Sequence, residues 1–110
     1  MPAGRVEEVT VSLLEDKRLE LARVCRRRGV RRLELFGSAA RADFDGASDF
    51  DFLVEFDPAS VLPALERYFG LKEDLEALLG RTVDLVMPAA VRNPYVRAEI
   101  ERDRKLLYAA

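Results

Sequence analysis

The most regular stretch of the chain is residues 49–56. Phe50, Phe52, Val54 and Phe56 alternate there with Asp49, Asp51, Leu53 and Glu55. A period of two predicts a strand with one bulky apolar face and an opposite face that begins with two carboxylates. Helical spacing appears on either side of it. Residues 11–28 carry Leu14, Leu21, Val24 and Cys25 among Glu15, Asp16, Lys17 and Glu20, which predicts an amphipathic helix. Ser12 and Glu15 fit a capping box, and Gly29 fits a stop. Residues 31–36 read as a short strand broken by Gly37. Residues 38–44 have room for one or two helical turns, and residues 45–48 are turn chemistry. Residues 61–79 are helical in pattern, with Leu62, Leu65, Phe69, Leu75, Leu78 and Leu79 as apolar positions and Gly70 as an interruption. Gly80 ends that run. Residues 82–87 form a third strand, rich in β-branched residues and broken by Pro88. Asn93 and Pro94 supply a cap and a first-turn proline for a last helix to about Asp103, with Val96 and Ile100 on its buried side. Residues 105–109 are a short closing strand. The order α-β-α-β-α-β-α plus a terminal strand is an α/β (α+β) arrangement in which each strand's apolar face needs helices against it.

Composition narrows the chemistry. A chain of 110 residues fits a single domain, residues 1–110, with a small core. The 18 Lys and Arg nearly cancel the 20 Asp and Glu, which speaks against a protein that grips a nucleic-acid backbone along its length. No apolar run approaches membrane-span length, and residues 1–10 hold no apolar signal core, so the expected setting is the cytoplasm. One cysteine, Cys25, excludes an internal disulfide and a cysteine-based metal site. The absence of histidine excludes His-dependent triads and His-ligated zinc. Catalysis here has to run on carboxylates, hydroxyls, Arg or Lys, and oxygen-liganded metals.

Asp49 and Asp51 are two apart in the predicted strand, so they share a face with Cα atoms about 6.6 Å apart. Aspartate is disfavoured inside strands, and two like charges repel unless a cation such as Mg²⁺ lies between them. Asp84, flanked by Val83 and Leu85, is a third carboxylate that a neighbouring strand could bring alongside. A plain solvated strand edge would also carry such residues. Upstream, Gly37 and Ser38 follow the first strand and open a possible helix. Glycine allows close backbone approach, and helix-N-terminal amides with the Ser38 hydroxyl make an anion site. Arg41, three residues on, would reach the same phosphate. A simple strand–turn–helix with a capping serine has the same signature.

Read together, the residues run Gly-Ser-x-x-Arg-x-Asp-Phe-x-x-x-Ser-Asp-Phe-Asp-Phe from Gly37 to Phe52, followed by Val-Asp-Leu-Val at 83–86. This combination resembles the nucleotidyltransferase superfamily of the DNA polymerase β type, and looks most like its minimal nucleotidyltransferases. The segments at 79–88 and 93–108 are also similar to that family, so the resemblance covers almost the whole chain. It implies a polymerase β-like fold: a small mixed sheet with helices packed on one face and the active site on the other. It implies that Asp49, Asp51 and Asp84 are catalytic and hold Mg²⁺, two ions in all, with ATP as substrate. Gly37 and Ser38 would cradle the phosphates, with Arg41 and Ser48 as further nucleotide contacts. The reaction implied is transfer of AMP to a hydroxyl. With no second domain to grip an acceptor, the grip must come from another chain. The resemblance names that partner as a HEPN-domain ribonuclease toxin, modified on a tyrosine by this antitoxin in a hetero-oligomer. An antitoxin that only masks its partner, and a transferase for small molecules, are the competing readings.

Other features have simpler explanations beside functional ones. The Arg-rich stretch 23–32 complements a helix C-terminus, or offers a surface to an acidic partner or RNA. Cys25 has the spacing of a core thiol. Tyr68, Tyr95 and Tyr108 suit packing better than self-modification. Glu55 continues the Asp49/Asp51 face two pleats away and reads as solvated.

Overall fold

A computed structural model describes residues 14–37 and 50–110. Its elements are helix α1 (Arg18–Arg27), strand β1 (Val30–Phe36), strand β2 (Phe50–Phe56), helix α2 (Ala64–Leu79), strand β3 (Val83–Val86), a 3-10 turn (Pro88–Ala90), helix α3 (Pro94–Asp103) and strand β4 (Lys105–Ala109). The predicted helical turns at 38–44, the turn at 45–48 and the Ser12 cap lie outside the described residues. Glu15, the expected capping-box partner of Ser12, accepts from Arg18 at 3.1 Å.

The strands form one mixed sheet in the order β3-β2-β1-β4. β1 is antiparallel to β2 and to β4, while β2 and β3 are parallel. A parallel pair needs a long crossover, and α2 supplies it. The alternation of β2 sends Phe50, Phe52 and Val54 into the core, where Leu21, Val24 and Cys25 of α1 and Leu71, Leu75 and Leu79 of α2 meet Leu33, Leu35, Val83 and Leu85. Phe50 and Phe52 are fully buried, each contributing about 1.5–3 kcal/mol of transfer free energy.

Three details differ from the periodicity reading. Gly70 does not interrupt α2. The helix runs through it, and a Cβ there would lie 2.5 Å from the guanidinium of Arg28, the residue just past the end of α1. The buried stripe of α2 is Leu71, Leu75 and Leu79, whereas Leu65 and Phe69 are exposed. They line an apolar groove of about 630 Å³ with Phe56, Met87 and Pro88. α3 meets the other sheet face, and only through its last turns: Ile100 is buried with Phe36 and Leu53, while Val96 stays partly exposed. The N-terminus of α3 is as expected, with Asn93 Oδ1 accepting from the Tyr95 amide at 2.8 Å and Pro94 in the first turn.

Most of the Arg-rich stretch is engaged by the protein's own carboxylates. Arg27 and Arg28 bind Asp74 at 3.1 and 2.7 Å. Arg31 pairs with Glu55 at 3.6 Å and Arg32 with Glu34 at 3.1 Å. Tyr68 packs against the core and donates to the Leu85 carbonyl at 3.2 Å, and Tyr108 also packs there, whereas Tyr95 is exposed. Among the described residues no helix is long and apolar enough to cross a membrane.

Candidate active site

Asp51 is the second residue of β2 and Asp84 the second of β3. The parallel register sets Phe50 beside Val83, Asp51 beside Asp84, and Phe52 beside Leu85. Register partners leave a sheet on the same side. Phe50, Phe52, Val83 and Leu85 are buried toward α1 and α2, so both aspartates face away from that core. Adjacent strands lie about 4.8 Å apart, a spacing from which two carboxylates reach one cation. Asp84 is exposed and Asp51 partly buried, so the pair opens to solvent.

Gly37 adjoins this pair. It ends β1 just beyond Phe36, which is the register partner of Asp51, and it sits at φ +76°. A Cβ on Gly37 would collide with Oδ2 of Asp51 and lie 3.3 Å from its Cγ. Glycine is therefore needed twice over, for the left-handed backbone and for the space the carboxylate occupies. Of the predicted site residues, Gly37, Asp51 and Asp84 are brought together. Asp49, Ser38, Arg41 and Ser48 lie outside the described residues.

The same sheet face carries a charged support that sequence reading passed over. Glu34 of β1 is almost fully buried and receives a forked pair of bonds from Arg104, Nε at 2.9 Å and Nη2 at 2.7 Å. Arg32 Nε adds a third at 3.1 Å. Hydrogen bonding from Arg104 holds the Glu34 carboxyl below its ordinary value, with Arg32 assisting against the opposing effect of burial. The pair fastens the start of β4 to the middle of the sheet. Glutamate at an alternating strand position was a visible signal, but its partner is 70 residues away.

An oxygen-only carboxylate pair is the donor set that suits a hard cation such as Mg²⁺. Among the described residues no third Asp, Glu, Cys or His joins it. Asp49, which would share the Asp51 face, is the remaining candidate. The chemistry of the pair therefore fits the metal that the sequence pattern implies.

The chain matches the family model described as nucleotidyltransferase domain over residues 19–107. It is 43% identical over 74 residues to a Methanocaldococcus jannaschii protein provisionally named a protein adenylyltransferase, covering 67% of this chain and 73% of that one. Among solved structures it resembles a provisionally assigned minimal nucleotidyltransferase at 30% identity and a TM-score of 0.68, over 96% of this chain and 98% of that one. It also has the fold seen in a complex of the tri-AMPylated Shewanella oneidensis HEPN toxin with its MNT antitoxin, at 19% identity and a TM-score of 0.59, over 88% of this chain and 73% of that one. A family match across most of the length and a sheet that sets two aspartates side by side agree: the chain belongs to the nucleotidyltransferase family, among its minimal nucleotidyltransferases.

Proposed function

We propose that this nucleotidyltransferase, acting as a single cytoplasmic domain, moves AMP from ATP to a tyrosine hydroxyl of a HEPN-domain toxin and silences it. The observation that carries the reading is the Asp51–Asp84 pair on an open sheet face, closed at one end by Gly37. In this reading Asp49, Asp51 and Asp84 hold Mg²⁺, two ions in all. Bound there, the metal offsets the negative charge that builds on the departing pyrophosphate. The Gly37 and Ser38 backbone and the Ser38 hydroxyl take the phosphates, with Arg41 and Ser48 as further contacts. The acceptor oxygen bonds to the α-phosphorus, the bond to the bridging oxygen of pyrophosphate breaks, and the hydroxyl proton passes toward Asp84. That the M. jannaschii relative is named an adenylyltransferase, and that a fold neighbour is complexed with an AMPylated toxin, supports the choice of acceptor.

Thermal melts test the nucleotide site by itself. A ligand that binds only the folded state raises the melting temperature by mass action, by about 2.7 kcal/mol of stability at a hundredfold excess over Kd. Mg²⁺ with ATP should raise the melting temperature of the wild type and not of Asp51→Asn. Equal shifts in both would remove the nucleotide from this face.

A further inference from the structure

β3 is four residues long and, among the described residues, stands at the sheet edge and pairs only with β2. Short edge strands fray, yet this one carries Asp84. Its outward backbone at Val83 is gripped by two side chains of α2. The Val83 amide donates to Oε2 of Glu76 at 3.0 Å, and its carbonyl accepts from Lys72 Nζ at 2.5 Å. Lys72 Nζ also donates to the same Glu76 oxygen at 3.0 Å, which closes a ring across one helical turn. The grip falls on the residue immediately before Asp84.

We infer that Lys72 and Glu76 are positioning residues for catalysis, clamping Val83 so that the Asp84 carboxylate is held beside Asp51. This rests on the reading of Asp84 as a working carboxylate. Catalytic groups need placement within about 0.5 Å, held by supporting hydrogen bonds. A helix of sixteen residues is a stiffer anchor than the single neighbouring strand. Electrostatics agrees with the geometry. The Val83 amide and then Lys72 hold the Glu76 carboxyl below its usual value. Lys72 is held above its own mainly by Glu76, with a smaller contribution from Asp84. The lysine thus feels both the clamp and the carboxylate it supports. The clamp also occupies edge hydrogen-bonding groups that another strand would otherwise use.

The test combines amide hydrogen exchange with kinetics on the full chain, using ATP, Mg²⁺ and the cognate HEPN protein. In Glu76→Ala the Val83 and Asp84 amides should exchange faster, and kcat should fall about 10- to 100-fold, the usual effect of removing a supporting partner. KM for ATP should stay within about twofold, because the phosphate-binding turn is untouched. Glu76→Gln keeps an acceptor for the Val83 amide and should recover part of kcat. Lys72→Met gives an independent variant should Glu76→Ala fold poorly. If exchange at Val83 accelerates while kcat is unchanged in both clamp variants, or if kcat and KM change only in step with a lowered melting temperature, the inference fails. Asp84→Ala run alongside separates the two readings. Full activity in Asp84→Ala overturns the role of Asp84 itself. Loss of activity there with unchanged kcat in the clamp variants overturns the clamp alone.

Discussion

The carboxylates of Asp51 and Asp84 share a face because their strands are parallel and register-matched at those two residues. Neither residue is stabilised by its own strand's propensity. Their positions are set by what lies behind them, Phe50 and Phe52 on one strand and Val83 and Leu85 on the other, all buried under α1 and α2. The apolar face of the sheet therefore determines the geometry of the polar face.

Gly37 is the most exposed point of failure. Gly37→Ala should cost about 1–3 kcal/mol of stability through the left-handed backbone, and should also displace Asp51, whose oxygen lies where the new methyl would be. Chemical denaturation measures the first effect and adenylyl transfer the second. A variant that transfers normally would mean that Asp51 tolerates the shift, and the packing of the turn against the carboxylate would lose its significance.

Strand β2 and its two faces were legible because alternation is strong over eight residues, and the start of α3 because Asn93 and Pro94 are unambiguous. The strand order was not legible. The expectation that a neighbouring strand brings Asp84 alongside Asp51 holds, but nothing in residues 82–87 states that β3 runs parallel to β2, since that follows from the length of α2 and the burial of both strands. Leu65 and Phe69 match the helical period as well as Leu71 does, and packing against the sheet and α1 decides which stripe is buried. Gly70 has the sequence signature of an interruption because the Arg28 side chain it faces lies about forty residues earlier, just past the end of α1. Lys72 and Glu76 carry no sequence signal of their role, because their grip on Val83 depends on the αL turn at Gly80 that folds β3 back against α2.

The Glu34–Arg104 pair should govern part of the acid stability. The Glu34 carboxyl lies below its ordinary value of 4.5, so its contribution is present above that value and is lost as pH falls through the lower, folded one. Arg104→Met leaves Glu34 with Arg32 alone and should cost about 3 kcal/mol at neutral pH, the low end for a broken buried pair. Below about pH 4 the penalty should shrink, because a protonated Glu34 is no longer an uncompensated charge. Urea denaturation at pH 7 and pH 3.5 reads both values, and a penalty independent of pH would assign the loss to packing.

Cys25 is fully buried, and burial pushes its thiol up from 9.0 to about 12. The folded state therefore keeps the proton where the unfolded chain loses it, so stability is intact below pH 9.0 and falls between pH 9.0 and about 12. A thiol-reactive disulfide reagent should label the folded protein only as fast as it unfolds. Rapid labelling at neutral pH without loss of fold would show that the core around α1 is open.

Mass spectrometry of the cognate HEPN protein after incubation with this chain, ATP and Mg²⁺ is the most direct measure of the proposed activity. The wild type should add one or more adenylyl groups on tyrosine and silence the ribonuclease. Asp51→Ala and Asp84→Ala should lower transfer on the order of 100-fold or more, while still binding the partner. If both variants neutralise the toxin as well as the wild type and no adenylyl group appears on it, masking is the mechanism and the proposed reaction is wrong.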